Sequence, residues 1–303
     1  MMRGYVPLLL LLAALWGASF MFIKVAVEEL APTTTMALRL VLSAVPLFAL
    51  LAFRRGAGRA VQEIRGVARH GAFLGVVNSA LPFTLIAWGE EHVDSGIAAI
   101  ANSTTPIFVA LLAMRFRASE RASGLRLAGI AIGILGVAVV AGAQPEGGWW
   151  AIAGVLACAL AAFLYAVGTL YAQSRVADTD VLVIVTAATI AGALFLLPAG
   201  VAQAPGALPS VEASGSILAL SLLGTFVGLL VYYHLIGVYG SLRASLVVYL
   251  LPPAALVYGA LVLGEDITVA AIVGLTLILA GVALGSGVVQ GVRRRDPKVL
   301  SAP

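Results

Sequence analysis

Residues 118–136 read ASERASGLRLAGIAIGILG, and residues 263–281 read LGEDITVAAIVGLTLILAG. Both stretches carry an acidic residue followed at the same spacing by two glycines: Glu120, Gly129 and Gly136 in the first, and Glu265, Gly274 and Gly281 in the second. Five long apolar runs lie within the 145 residues that separate the copies. Because an odd number of membrane crossings reverses the chain, this repeat predicts two like halves of opposite orientation. Such symmetry is typical of transporters that open alternately to either side, with a site between the halves.

The composition indicates a membrane protein. Hydrophobic residues make up 61% of the 303 residues and charged residues 11%, with a mean hydropathy of +1.07. A soluble domain carries about 25% charged residues. The net charge of +4 comes from short basic clusters between apolar runs, which favours topology signals over a nucleic-acid partner. The single cysteine, Cys158, lies in an apolar run, so we expect no disulfide, no metal site and no cofactor.

The apolar runs set the number of predicted helices. A helix of about 20 residues crosses a hydrocarbon core about 30 Å thick. Ten runs have about this length: residues 7–27, 33–53, 71–88, 95–114, 124–143, 149–173, 181–201, 216–237, 241–263 and 268–289. A cleaved signal peptide is an alternative for the first run, but the run continues past Lys24 without a small-residue cleavage site. We therefore predict an all-α membrane protein with ten transmembrane helices in a 5+5 inverted repeat.

The charged residues predict the orientation. Sixteen of the eighteen Lys and Arg residues fall on one side of the predicted membrane, and nine acidic residues fall in the loops on the other side. Because basic loops stay in the cytoplasm, both termini are predicted to be cytoplasmic. The single membrane domain then divides into a first repeat at residues 1–143, a second, inverted repeat at 147–289 and a cytoplasmic tail at 290–303.

Prolines inside the runs predict where helices bend. Helices interrupted at matching places in two halves mark transport sites, and Pro106 and Pro253 lie near the middle of spans four and nine. Asn102 lies one turn before Pro106 on the same face, with the hydroxyls of two threonines beside it, and Asn78 shares a face with Pro82 in span three. We expect the three prolines to bend their helices and the two asparagines to bind substrate. Simple kinks, satisfied by neighbouring side chains, are the alternative.

Aromatic residues at mid-depth predict a ring-lined cavity. Trp and Tyr normally anchor at the interfaces, yet Trp16, Tyr165 and Tyr249 lie near the middle of their runs. Tyr232 in span eight shares a face with Thr225. We predict that these four aromatic residues contribute to a substrate site suited to aromatic or amphipathic solutes. Packing between helices, with a bond to a nearby carbonyl, is the alternative for each ring.

Two basic residues fall inside predicted spans. Lys24 lies one turn before Glu28 and is expected to reach the outer interface and pair with it. Arg39 lies about 9 Å into span two. Since a charge in hydrocarbon costs about 2.5 to 3.5 kcal/mol even on insertion scales, Arg39 is expected to face the protein interior or water. It could meet a substrate carboxylate or tie helix ends together.

Acidic residues and histidines inside the spans are scarce. Every carboxylate lies at or beyond a span end, so we expect no buried Asp or Glu as a proton carrier in mid-membrane. His234 is the single histidine expected within a span, where a helix-packing role is the simpler reading. His70 and His92 lie far apart in the predicted topology, which argues against a metal cluster.

These features resemble one transporter family. Ten spans in two repeats resemble the EamA-type branch of the drug/metabolite transporter superfamily, as do Leu15-Trp16-Gly17-Ala18-Ser19-Phe20 followed by Lys24, Pro32 and Arg39, and Leu263-Gly264-Glu265 before the last helix. The first half departs from the pattern, with Ala118-Ser119-Glu120 where Leu-Gly-Glu is usual. The resemblance implies a bacterial inner-membrane exporter, similar to the aromatic-amino-acid exporters. The related small multidrug-resistance proteins carry a glutamate in their first helix, and this chain has none between Pro7 and Val27.

We therefore expect an exporter of small neutral or zwitterionic metabolites, including aromatic amino acids, that works by alternating access. Its expected partners are a small-molecule substrate and the lipid bilayer, with a monomer as the default state. Export of drugs or other metabolites on the same fold is the alternative. An intramembrane lipid-modifying enzyme is a remote one, because neither a nucleophile with a buried base nor a metal-binding acidic cluster is visible.

Overall fold

Helices form along almost the whole chain because a backbone N–H or C=O in hydrocarbon needs a partner within its own segment. The computed structural model describes residues 4–116, 124–142 and 147–285. Within these ranges the chain forms helices and connecting turns, with no strand. Glu120 and the predicted tail at 290–303 lie outside the described residues.

The helices follow the chain in this order. The first eight are α1 (Tyr5–Val27), α2 (Pro32–Arg55), α3 (Ala57–Gly66), α4 (Ala68–Gly75), α5 (Leu81–Glu90), α6 (Ser95–Asn102), α7 (Thr105–Phe116) and α8 (Gly124–Ala141). The others are α9 (Gly148–Arg175), α10 (Val181–Ala202), α11 (Val211–Ala219), α12 (Gly228–Tyr239), α13 (Ser241–Ala244), α14 (Val247–Tyr258) and α15 (Val269–Gly285). Three π-helical segments interrupt them, at Val76–Ala80, Leu220–Val227 and Gly259–Leu263.

Seven helical stretches of the described chain are long and apolar enough to cross a membrane. They are Tyr5–Val27, Pro32–Arg55, Ala68–Glu90, Ser95–Met114, Gly148–Arg175, Val181–Ala202 and Val211–Tyr239. Three shorter apolar helices lie at Leu127–Ala141, Val247–Leu263 and Val269–Leu284. The all-helical membrane fold is therefore confirmed, whereas the count of ten spans depends on the shorter helices and stays a prediction.

Span four is interrupted beside Pro106. Helix α6 ends at Asn102 and α7 begins at Thr105, so Pro106 lies in the first turn of α7, where its missing N–H matters least. Local hydroxyls satisfy the carbonyls at the break: Ser103 Oγ, Thr104 Oγ1 and Thr105 Oγ1 donate to the oxygens of Ile100, Ala101 and Asn102 at 2.6, 2.7 and 3.0 Å. The two threonine hydroxyls expected to line a site are thus occupied by the backbone.

The other two prolines lie in different settings. Pro82 lies in the first turn of α5, directly after the π segment Val76–Ala80. Helix α14 runs through Pro253 and the neighbouring Pro252, and the irregular backbone of this span lies earlier, between α13 and α14. The chain is therefore interrupted beside Pro106 and continuous through Pro253, where a helix bend stays a prediction. The helix continues because each proline costs one ladder hydrogen bond while the surrounding turns keep theirs.

Glycines let the helices approach closely. A Cβ on Gly136 would lie 3.0 Å from the Gly274 carbonyl oxygen, and one on Gly281 would lie 2.6 Å from the Gly129 carbonyl oxygen. Helices α8 and α15 are therefore in backbone contact within one chain, as the glycine spacing predicts. Other pairs pack in the same way, including α1 with α14, α4 with α10, α5 with α9 and α2 with α10.

Contacts between loops define two ends of the bundle. At the first, which we call the acidic end, Lys24 reaches the loop after α5, Glu29 accepts hydrogen bonds from Ser210, and Glu265 accepts them from Ser95. At the second, which we call the basic end, two contacts join loops: Tyr5 to Arg243, and Arg55 to Asp180.

The first helix of each predicted repeat runs in the opposite direction to the other. Helix α1 starts beside Arg243 at the basic end and reaches the acidic end at Lys24. Helix α9 starts at the acidic end, where Trp150 lies 5.3 Å from the His92 ring, and reaches His70 through Tyr171. Since His70 lies at the start of the segment whose other end carries Glu90, α9 runs from the acidic to the basic end.

Candidate functional site

Arg39 and the aromatic rings around it form the centre of the candidate site. Arg39 is 7% exposed and faces the interior, as predicted. Its Nε donates to Thr225 Oγ1 at 2.9 Å, and its Cζ lies 3.8 Å from the centroid of the Phe83 ring. Tyr165 stands edge-on to Phe83 with ring centroids 6.4 Å apart. The cation is thus held by one hydroxyl and one aromatic face.

Trp16 and Tyr232 form a second pair that adjoins the first group. Their ring centroids lie 5.2 Å apart, and Trp16 Nε1 donates to the Gly224 carbonyl at 2.9 Å. Gly228 leaves room for the indole, since a Cβ there would lie 2.5 Å from Trp16 Nε1. The carbonyl that holds Trp16 and the hydroxyl that holds Arg39 belong to consecutive residues, Gly224 and Thr225.

These consecutive residues lie in the π segment Leu220–Val227. A π turn shifts the register of a helix, and such turns are frequent at functional sites. Through it, side chains of α1, α2 and α12 converge, and Phe83 links Tyr165 of α9 to Arg39. We call Trp16, Arg39, Phe83, Tyr165, Thr225 and Tyr232 the central cluster.

Asn78 and Asn102 both carry buried amide oxygens without a hydrogen-bond partner in the described structure. Asn78 packs on α9, where a Cβ on Gly168 would lie 2.5 Å from Asn78 Oδ1. Asn102 is the last residue of α6, directly before the break. Tyr249 packs against the same apolar core as Phe83 and Tyr165. No described contact ties Asn78, Asn102 or Tyr249 directly to the central cluster.

Sequence reasoning missed Phe83. It lies next to Pro82 in an apolar stretch, and nothing in the surrounding sequence distinguishes it from a membrane-facing residue. Only the placement of Arg39 over its ring distinguishes it. His234 also differs from expectation, because its side chain is exposed rather than packed between helices.

Lys24 does not pair with Glu28. Its Nζ donates to the carbonyl oxygens of Glu90 at 2.6 Å and of Val93 at 2.9 Å. The first is the last carbonyl of α5 and the second lies in the turn that follows, and the end of a helix offers unsatisfied oxygens to a cation. The prediction that Lys24 pairs with Glu28 is therefore wrong. Lys24 instead connects α1 to the loop after α5.

Glu90 is a buried carboxylate at a span end, a case that the expectation for mid-membrane carboxylates did not cover. It is the last residue of α5, it is 0% exposed, and neither carboxylate oxygen has a hydrogen-bond partner in the described structure. A cavity of about 300 Å³ lies beside it, surrounded by Lys24, Val27, Glu28, Glu90 and Glu91. Its position at a span end concealed this, because the sequence does not show how the loops fold over that end.

Two other carboxylates at the acidic end bind helix N-termini. Glu265 accepts from Ser95 N and Oγ, both at 2.8 Å, and from Gly96 N at 3.2 Å, at the start of α6. Glu29 accepts from Ser210 N at 2.8 Å and from Ser210 Oγ, just before α11, and these bonds lower the pKa of Glu29. Burial raises the pKa of Glu91, the residue after α5, with His92 and Lys24 opposing the rise.

Comparison with known proteins is consistent with this architecture. The profile of the EamA-like transporter family matches residues 4–142 and again residues 152–287. A "probable terminal-alkyne amino-acid exporter" of Streptantibioticus cattleyicolor is 30% identical over 295 residues, covering 94% of each chain. A "probable amino-acid metabolite efflux pump" of Salmonella typhimurium is 28% identical over 284 residues, covering 90% of this chain and 92% of that one.

A solved structure also shares the fold. It aligns with a TM-score of 0.65 over 96% of this chain and 99% of that chain. Its sequence identity is 17%, so the similarity concerns the fold alone.

Proposed function

This chain belongs to the EamA-like transporter family, and on that premise we propose that it exports small neutral or zwitterionic metabolites across the bacterial inner membrane by alternating access. Amino acids, including aromatic ones, are the proposed substrates. Two relatives named as an amino-acid exporter and an amino-acid metabolite efflux pump support this class. The family and these names point to transport rather than to an enzyme.

The proposed architecture is a ten-helix, 5+5 inverted repeat with both termini in the cytoplasm. The family profile matches twice along the chain, and α1 and α9, which open the two matched regions, run in opposite directions. The helix pairs are reciprocal too, since α5 packs on α9 while α1 packs on α11 and α12. The excess of Lys and Arg at one end supports an orientation with the acidic end outside the cell.

The proposed substrate site is the central cluster together with the two buried asparagines. The observation that carries it is that Trp16 and Arg39 bind two consecutive residues of a π segment, with Tyr232 packed on the Trp16 ring. The rings would stack on an aromatic side chain, and the guanidinium of Arg39 would bind a carboxylate. Asn78, Asn102 and Tyr249 would complete the wall, and Pro82, Pro106 and Pro253 would let the halves bend.

The experiment compares efflux from proteoliposomes loaded with labelled amino acids. Trp16→Ala removes a ring of the cluster, and Asn102→Ala removes an unpartnered amide. We expect each to lower the efflux of an aromatic amino acid by about tenfold, which corresponds to about 1.4 kcal/mol of lost binding. Trp149→Ala is the matched control, because Trp149 is 72% exposed and should leave efflux unchanged.

Two results would contradict the proposed site or substrate. Wild-type efflux in both Trp16→Ala and Asn102→Ala, with folded protein confirmed by size-exclusion chromatography, would exclude the central cluster as the site. A panel that also contains organic cations and sugar phosphates tests the substrate class. Preference for either of these over amino acids would replace the amino-acid assignment by general drug or metabolite export.

A further inference from the structure

The buried carboxyl group of Glu90 lies in an unusual setting at the acidic end. Its two oxygens receive no hydrogen bond within the described structure, and its residue is fully buried. The ammonium of Lys24 lies close by, yet the protons for which the structure gives acceptors go to the backbone carbonyls of Glu90 and Val93. An ionised carboxylate enclosed in this way costs several kcal/mol, whereas a carboxylic acid avoids most of that cost.

Charged and titratable groups from several helices and loops lie around Glu90. The charges that act on it are Lys24 of α1, Arg39 of α2 and Glu265, which follows the last π segment. Cys158 of α9 packs against the adjacent Gly89. Glu28 and Glu91 lie around the cavity beside it. Neither cation donates a hydrogen bond to the Glu90 carboxyl in the described structure, since Lys24 donates to carbonyls and Arg39 Nε donates to Thr225.

The acidic end is closed over Glu90 by contacts between loops. Lys24 holds the end of α5, Glu265 holds the start of α6, and Glu29 holds the start of α11. Opening this end requires these contacts to separate, which admits water to the Glu90 carboxyl. Water would then solvate the ionised form, which has no donor in the closed form.

We propose that Glu90 is a proton-binding site linked to the acidic end: it holds a proton while that end is closed and releases the proton when that end opens. The inference rests on the proposed transport function and on the acidic end facing outward. Each closing converts a carboxylate and one proton from the outer solution into a carboxylic acid. An acidic outer solution therefore favours the closed form, and the open form gains at higher pH.

The first test measures efflux of a labelled aromatic amino acid, a zwitterion over the whole range used, from cells into buffers of different pH. The wild-type rate should fall as the outer pH falls, by at most about tenfold per unit, which is the limit for one proton. Glu90→Gln should be slow and independent of pH. Glu91→Gln is the matched control, because Glu91 lies at the same cavity. This variant should keep the wild-type pH dependence.

The second test does not depend on transport. Cys158 is fully buried, so labelling of Val27→Cys reports on a half-buried position at the cavity, which opening of the acidic end would expose further. The labelling of this variant by a membrane-impermeant maleimide is divided by the labelling of Leu208→Cys, because Leu208 is 96% exposed. This ratio corrects for the reagent's own pH dependence. We expect this ratio to rise with outer pH, and to stay constant when Glu90→Gln is added.

Three results would overturn the proposal. They are pH-dependent efflux in Glu90→Gln, loss of the dependence in Glu91→Gln, and a labelling ratio that does not change with outer pH. Failure of the transport function looks different, because it would abolish specific efflux in the wild type while the labelling ratio still responded. A reversed orientation would leave Val27→Cys unlabelled from outside at every pH.

Discussion

At the scale of single residues, Arg39 shows how a charge is kept inside a membrane bundle. One Thr225 hydroxyl accepts from its Nε and the face of Phe83 covers its guanidinium, while no carboxylate lies within salt-bridge distance in the described structure. A guanidinium is weakly hydrated and stacks well on rings, so this arrangement suits Arg and would not suit Lys. It also leaves the cation available to a substrate carboxylate.

Replacing Arg39 tests that availability. Arg39→Met keeps a flexible, unbranched apolar stem and removes the guanidinium with its charge. We expect the efflux of an aromatic amino acid to fall by about tenfold or more, because a hydrogen bond to a charged group contributes about 1.5 to 3 kcal/mol. Efflux of the corresponding amino-acid methyl ester, which lacks the carboxylate, should change little. An equal loss for both solutes would assign Arg39 a structural role.

The contact between Glu29 and Ser210 should show its own pH dependence. The hydrogen bonds lower the pKa of Glu29 in the folded protein. The stabilisation is therefore present above the pKa of the unfolded chain and is lost as the pH falls through the lowered folded value. We expect Glu29→Gln to lower the Tm of the solubilised protein at neutral pH, and this difference to vanish in strong acid. A difference independent of pH would contradict the role given to the carboxylate.

At the scale of elements, glycine faces decide which helices touch. The backbones of helices α8 and α15 come into contact at Gly136, Gly274 and Gly281. Lipid tails are as apolar as the side chains, so such pairs are held by close packing rather than by the hydrophobic effect. The same glycines form the sequence repeat, which gives the repeat a packing reason.

A single methyl group should disrupt this pair. In Gly281→Ala the new Cβ would lie 2.6 Å from Gly133 N and from Gly129 O, both backbone atoms that cannot turn aside. We expect a loss of about 1 to 3 kcal/mol in stability, measured as a lower Tm in detergent. Gly215→Ala is the matched control, because nothing lies within 4 Å of its Cβ and the better helix former should be neutral or slightly stabilising. Equal Tm values for the two variants would refute the contact.

At the scale of the whole molecule, the opposed directions of α1 and α9 are what an inverted repeat requires. The two family matches begin at these helices, and the loops at each end come from both halves. A cross-section of the bundle therefore joins elements that lie far apart in the sequence. The substrate site proposed here depends on that arrangement, since α1 and α2 meet the π segment of the second half.

Topology reporters test the inversion directly. A tag inserted at Glu120 should report the cytoplasm and one at Glu265 the outside, because an odd number of crossings separates them. Alkaline phosphatase and green fluorescent protein fusions measure these two locations with opposite signals. Both tags on the same side would eliminate the inverted repeat and the orientation of the acidic end together.

The sequence by itself determined the class of the protein and predicted its plan. An apolar run of about 20 residues has few alternatives to a helix across the bilayer, because its backbone finds no partner in lipid. The repeat of an acidic residue with two glycines and the segregation of Lys and Arg are local patterns that can be read without coordinates. The interior position of Arg39 followed in the same way, from the cost of exposing a charge to hydrocarbon.

The tertiary structure alone decided which of those residues meet and which carboxylate is buried. Phe83 was recognised as a candidate site residue only from the position of Arg39 over its ring. Lys24 was expected to pair with Glu28 but binds carbonyls at the end of α5. Glu90 lies at a span end, where water and a loop are equally available to a side chain. Whether it is buried depends on how loops distant in sequence pack over it. The free energy of that packing cannot be read from any single segment of the sequence.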